Sequence, residues 1–331
     1  MRIAIVPVET DNYDINNTKL FGMTSISYLF SYLEKYFPDD EIFPAVDLRI
    51  ILQTKPDIIG IYAPYSKYFN KVIEIAREIK EHLKVPLILG GPHITYLPKS
   101  LPPIIDVGVI GEGEETFRDL ITIFKDDKYF NEKNLNTVPG VVFHYKGQKM
   151  MTDKRKAIQD LDSIPLTRKF FYQMPGNWVP SMITGRGTPY KTAYSVSSDE
   201  PVRLHSLERL INDTVDLITF SSQLRQVPIL DELFIYDLAR FKQFAEVFAD
   251  GKMSKYIKFE IFARPHELTE EVCEILKHAF EIKILNIHFV SSSVKTLREL
   301  REPVLEEDEQ LQVLERCYRH DFNVTANYIT I

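Results

Sequence analysis

Residues 86–93 read PLILGGPH, and residues 107–117 read VGVIGEGEETF. Each is a short apolar run that exits into glycine. A run of this kind is a strand buried on both faces, and glycine at its exit lets backbone approach a neighbour with no Cβ between them. A glycine pair there also serves as a plain tight exit, which many α/β proteins need. Two such exits on neighbouring strands tip the reading toward a ligand cleft, because an open parallel sheet binds beyond the carboxyl ends of its strands.

The pattern extends outward from these exits. Strands are expected at Arg2 to Val8, Glu41 to Ala45, Ile58 to Tyr62, Pro86 to Leu89 and Val107 to Ile110, with helices between them. From Phe69 to Leu83 the residues Val72, Ile73, Ile75, Ala76, Ile79 and Leu83 share one helical face, while Lys71, Glu74, Glu78 and Lys80 fall mostly elsewhere. Right-handed crossovers then give an α/β fold over residues 1–125, a doubly wound parallel sheet of flavodoxin-like form.

Residues 126–180 carry a weaker pattern. Lys146-Gly147 sits between alternating apolar residues and suggests a hairpin. Asp160 to Pro165 is rich in turn formers and marks a connector between domains. Residues 181–331 alternate again, with strands near Met182 to Gly185, Val227 to Phe234, Phe259 to Ala263, Ile284 to Phe289 and Val324 to Ile331. That is a partial (β/α) barrel, incomplete at its C-terminal end, whose open edge calls for further sequence or cover by another chain.

A chain of 331 residues accommodates two such domains. Hydrophobic residues at 44% and charged residues at 26% describe a globular protein. The net charge of -7 offers no basic field for a phosphate backbone, which argues against nucleic acid. No stretch approaches the roughly 20 apolar residues of a membrane span, and MRIAIVPVE reads as a strand rather than a signal peptide, so a cytoplasmic protein is expected. Cys273 and Cys317 are the only two cysteines, which excludes a disulfide framework and any cluster that takes three or four thiolates from this chain.

Gly-Gly-Pro-His followed on the next strand by Gly-Glu-Gly-Glu-Glu resembles the cobalamin-binding (B12-binding) domain that precedes many radical S-adenosylmethionine enzymes. The resemblance implies that Gly90, Gly91 and Pro92 line the slot for the cofactor's nucleotide tail, with Gly111, Glu112 and Gly113 beside it and Tyr65 and Ser66 facing the same cleft. His93 is read as a lining residue, since a lone histidine at a strand exit more often makes hydrogen bonds than ligates metal. Many other cobalamin modules carry Asp-x-His-x-x-Gly after the first strand, where a neutral imidazole coordinates cobalt. Here that loop reads Thr10-Asp11-Asn12-Tyr13-Asp14, and the eight histidines begin at His82, so cobalt would lack a histidine from this loop.

Downstream, Thr184-Gly185-Arg186-Gly187 leads into Thr188, Thr192 and Ser195, which resembles the radical S-adenosylmethionine loop with all three cysteines of Cys-x-x-x-Cys-x-x-Cys replaced. The family implies a 4Fe-4S cluster there. Hydroxyls are hard donors that stay protonated and do not substitute for three thiolates, so the cluster is expected to be absent. His288 to Ser293 stands where the family has Gly-Ile-Glu-Ser-Gly-Ser, and Phe280 stands in place of a glycine. Such spread changes, with a mixture of Thr and Ser, favour natural drift over deliberate replacement. Asp231, Glu232 and Arg264 persist at strand ends, where they face S-adenosylmethionine in active relatives or form a structural ion pair. Ser206 reads as a helix cap.

The resemblance therefore implies a cobalamin-binding protein, ancestrally a methyltransferase or related radical enzyme, with S-adenosylmethionine as a second ligand. It would now be inactive, or an accessory subunit beside an active radical partner or in a homo-oligomer. Two alternatives stand: an active enzyme with a partner-supplied or unusual cluster, and a nucleotide-binding or interaction module without cobalamin. The first strand lacks a Gly-x-Gly-x-x-Gly turn, which disfavours a dinucleotide.

Overall fold

The computed structural model describes residues 1–8, 20–21, 24–166, 178–194, 200–220, 226–282 and 284–329. The loop from Thr10 to Asp14, Ser195, and residues 330–331 of the last expected strand lie outside the described residues. The chain divides into two compact units, Met1–Ile158 with Ile164–Trp178, and Gln159–Ser163 with Val179–Ile331.

In the first unit, strands β1 (Arg2–Pro7), β2 (Glu41–Pro44), β3 (Ile58–Tyr62), β4 (Leu87–Gly90) and β5 (Val107–Val109) are parallel. Strands β6 (Val141–Tyr145) and β7 (Gln148–Met151) add to them antiparallel. The sheet order is β2-β1-β3-β4-β5-β6-β7. Its parallel part is the 2-1-3-4-5 order of flavodoxin-like folds. Helices α1 (Thr24–Tyr36), α2 (Leu48–Thr54), α3 (Phe69–His82), α4 (Pro92–Tyr96) and α5 (Glu114–Asp127) connect the strands.

The apolar face of α3 buries Val72, Ala76 and Ile79 in one cluster with Ala4, Val6, Ile59, Ile61, Leu87 and Leu89. Glycine in mid-strand has a packing reason at Gly60, where a Cβ would lie 2.9 Å from the ring of Phe117 on α5. The hairpin set apart in the sequence is part of this unit. Lys146 and Gly147 both take positive φ (49° and 76°), as a two-residue hairpin turn requires. The turn folds β7 onto β6, and β6 pairs with β5, so the first unit extends well past residue 125.

The second unit holds a parallel sheet in sequential order, β10 (Val227–Pro228), β11 (Phe259–Ala263), β12 (Ile284–Val290) and β13 (Asn323–Tyr328). Met182 bridges in parallel to Ile229 on the outer side of β10. Helices α6 (Leu207–Phe220), α7 (Leu238–Asp250), α8 (Glu270–His278), α9 (Val294–Glu299) and α10 (Glu307–Arg319) separate these segments. Consecutive β/α units of this kind are those of an opened (β/α) barrel. A short antiparallel pair, β8 (Gly185–Arg186) with β9 (Arg203–Leu204), frames the segment between them.

The strand expected over Val227 to Phe234 stops early, because the Asp231 carboxylate accepts the Leu233 N–H at 2.7 Å and turns the chain out of the sheet. Phe280, read as a sign of decay, is fully buried at the centre of an aromatic cluster. Its ring centre lies 4.9 Å from that of Phe248, 5.4 Å from Phe234 and 5.6 Å from both Phe241 and Phe244. A glycine in its place would leave that core hollow. Among the described residues no helix is long and apolar enough to cross a membrane.

Candidate functional site

In the first unit the exits of β3, β4 and β5 lie side by side, since Tyr62 pairs with Gly90 and Leu89 with Gly108. Gly91 has φ +108°, and a Cβ there would meet the Ala63 carbonyl oxygen at 2.4 Å. Glycine is thus obligatory at Gly91 for the fold itself. Gly111 also takes positive φ, +84°, which favours glycine whatever the space, and among the described residues a Cβ at Gly90 or Gly111 would meet nothing within 4 Å. Thr95 ties the two exits together by donating to the Gly91 carbonyl at 3.0 Å and accepting from the Gly111 N–H at 3.1 Å.

The other expected lining residues sort by what holds them. His93 is buried, with Nδ1 2.9 Å from the Ser66 hydroxyl and Nε2 2.9 Å from that of Ser100, and its ring stacks on Phe69 at 3.8 Å. Burial lowers its pKa. Both ring nitrogens are engaged, so His93 positions the Ser66 loop rather than offering a metal ligand. Pro92 starts α4. Glu112 accepts the Ile158 N–H at 3.0 Å and so holds the later chain. Gly113 leads directly into α5. Tyr65 is 61% exposed, with the Lys67 ammonium 5.9 Å from its ring centre. The first turn of α5 carries Glu114 and Glu115, which makes that helix start a poor seat for a polyphosphate.

The backbone at Gly90 and Gly111 offers room, among the described residues, that a side chain would fill and that a bulky group such as a nucleotide tail would need.

In the second unit the strand ends converge on Arg264. Its Nε donates to Glu232 at 2.8 Å and its Nη1 to Glu302 at 2.8 Å, and its guanidinium lies 4.8 Å from the ring centre of Tyr190. Glu232 also pairs with His288. Tyr194 donates its phenol to Glu302, and the Tyr190 hydroxyl sits 2.9 Å from His266 Nε2. Burial opposes the charge on Arg264, but Glu232 and Glu302 outweigh it and raise its pKa. Burial also opposes ionisation of Glu232, yet His288 and Arg264 hold its pKa below the ordinary value. Burial and then the bond to Glu302 push Tyr194 up to about 12.

Asp231 does not join this group. It accepts from the Thr184 hydroxyl at 2.7 Å, the Thr184 N–H and the Leu233 N–H, so its carboxylate is spent on the backbone turn instead of facing a ligand. Thr188 accepts the Tyr190 N–H at 3.2 Å, and the buried Thr192 hydroxyl has no hydrogen-bond partner among the described residues. Ser206 accepts the Arg209 N–H at 3.1 Å, the expected cap. Sequence reasoning missed Tyr190, Tyr194, His288 and Glu302 as members of the cluster. Tyr190 and Tyr194 were visible in the Thr188 to Ser195 run that the sequence reading singled out, whereas nothing local around Glu302 signals its role.

Residues 32–121 match the family model described as B12 binding domain. An uncharacterized methyltransferase of Pyrococcus horikoshii, PH0819, is 29% identical over 205 residues, covering 58% of this chain and 43% of that protein. The cobalamin-dependent radical SAM methyltransferase TokK of Streptomyces tokunonensis is 28% identical over 115 residues, 34% of this chain and 16% of that one. The solved structure of the cobalamin-dependent S-adenosylmethionine radical enzyme OxsB with aqua-cobalamin bound superposes with a TM-score of 0.79 at 17% identity, covering 99% of this chain and 49% of that one. This chain spans less than half the length of each of these relatives. The resemblance read from the glycine exits, and the two-part α/β fold, are borne out.

Proposed function

We propose that this chain binds cobalamin at the glycine exits of β4 and β5, and that its second unit serves as a binding or accessory module and performs no radical chemistry by itself. The observation that carries the first part is the open backbone at Gly90 and Gly111, flanked by the fold-required Gly91. Gly90, Gly91, Pro92, Gly111 and Gly113 would hold the nucleotide tail, with Tyr65 at the mouth. When bound, cobalamin supplies a cobalt centre able to carry a methyl group. The acidic first turn of α5 supports cobalamin over a nucleoside polyphosphate.

The second part rests on the donor set. Thr188, Thr192 and Ser195 occupy the three cluster positions. Cys273 and Cys317 are free thiols buried on α8 and α10, where their side chains hydrogen-bond to each other. Hydroxyl donors of this kind do not fit a 4Fe-4S cluster. Anaerobic reconstitution with iron and sulfide tests this part. No charge-transfer band is expected, whereas a band with stoichiometric iron would establish the active-enzyme alternative. Saturation by hydroxocobalamin tests the first part, and failure to saturate at micromolar cofactor would favour a module without cobalamin.

A further inference from the structure

The residues that fill the strand ends of the second unit come from the segment that carries the replaced cluster positions. Tyr190 lies against the Arg264 guanidinium and meets His266, and Tyr194 bonds Glu302. The segment is fastened at both ends. Gly187, at φ +88°, leaves so little room that a Cβ would meet the Pro201 carbonyl oxygen at 2.5 Å, and the Ala193 N–H donates to the Leu300 carbonyl at 2.8 Å.

We infer that residues 188–194 form a built-in plug, in which Tyr190 and Tyr194 cap an Arg264–Glu302 pair already closed on itself and on Glu232, so that the strand ends offer a zwitterionic ligand neither a free guanidinium nor a free carboxylate and do not take S-adenosylmethionine. An amino-acid moiety is recognised by a free carboxylate for its ammonium and a free guanidinium for its carboxylate. Neither is free here. Both Arg264 and Glu302 are almost fully enclosed, with side chains 7% and 2% exposed, and each already has charged and phenolic partners. A ligand would have to displace bonds between buried charged groups and leave their partners unpaired. The inference rests on the reading of the second unit as cluster-free.

Hydrogen–deuterium exchange on the whole chain tests it, comparing wild type, Tyr194→Phe and a Tyr190→Leu/Tyr194→Phe double variant. Peptides over residues 188–194 should exchange slowly in wild type and about tenfold faster in the double variant, with a peptide over Phe259–Ala263 unchanged. Equal rates in wild type and double variant would overturn the plug. Equilibrium dialysis of wild type against S-adenosylmethionine needs no variant: no saturation is expected up to millimolar ligand, and micromolar binding would overturn the inference. Iron uptake on reconstitution reads the cluster-free assignment separately, since it bears on the thiolate question whatever the exchange rates are.

Discussion

The Arg264 guanidinium donates to Glu302 at 2.8 Å, and this pair sits at the meeting point of Tyr190, Tyr194, Glu232 and His288. Both partners are enclosed, but Arg264 keeps Glu232 when Glu302 is removed, whereas removal of Arg264 leaves the buried Glu302 carboxylate with the Tyr194 phenol alone among the described residues. Arg264→Met should therefore destabilise the chain by about 3–5 kcal/mol and more than Glu302→Ala does, read from urea unfolding. An unchanged midpoint would show that the cluster contributes little to folding.

Phe280 makes a second prediction. Its ring touches Phe234, Phe241, Phe244 and Phe248 with no exposure to solvent. Phe280→Ala should cost about 3–5 kcal/mol, since the surrounding rings cannot all collapse into the space. A loss below 1 kcal/mol, on the order of a surface change, would contradict the core role assigned to it.

Stability should also depend on pH in a directed way. Burial drives His205 down to about 4, with its bond to Asp162 offsetting part of the effect. Its folded pKa lies below the ordinary 6.5, so the folded state binds fewer protons than the unfolded chain between these values. The stabilisation is complete above 6.5 and is lost as pH falls toward 4, by roughly 3 kcal/mol. Urea titrations at several pH values should show this slope, and His205→Asn should flatten it.

Glu267 has the opposite sign. Burial raises its pKa from 4.5 to about 7, although it accepts the Arg264 N–H at 2.8 Å. Its contribution is full below 4.5 and is lost as pH rises through about 7. Glu267→Gln keeps an acceptor for that N–H, and should be more stable than wild type at pH values above 7 and lose this dependence. Wild type remaining the more stable of the two under alkaline conditions would refute the assignment.

Much of the first unit was legible because its strands are unbroken apolar runs and α3 has a clear buried face. The hairpin turn was readable from Lys146-Gly147, but its pairing partner was not: joining β5 is a long-range choice that no local pattern encodes. In the second unit, the role of Asp231 escaped sequence reasoning because a carboxylate at a strand end serves a ligand or a turn equally well. The Thr184 and Leu233 N–H groups decide between them only once the chain is folded. Phe280 shows the same limit from the other side, since departure from a family glycine looks like decay until its aromatic neighbours are in place.

The open backbone at Gly90 gives the most direct test of the central claim. A visible-spectrum titration with hydroxocobalamin should saturate wild type at micromolar cofactor. Gly90→Ala, whose Cβ meets nothing within 4 Å among the described residues, should fold normally yet bind about tenfold or more weakly because the methyl enters the cofactor's space. Failure of wild type to saturate, or equal affinity of the two proteins, would contradict the account.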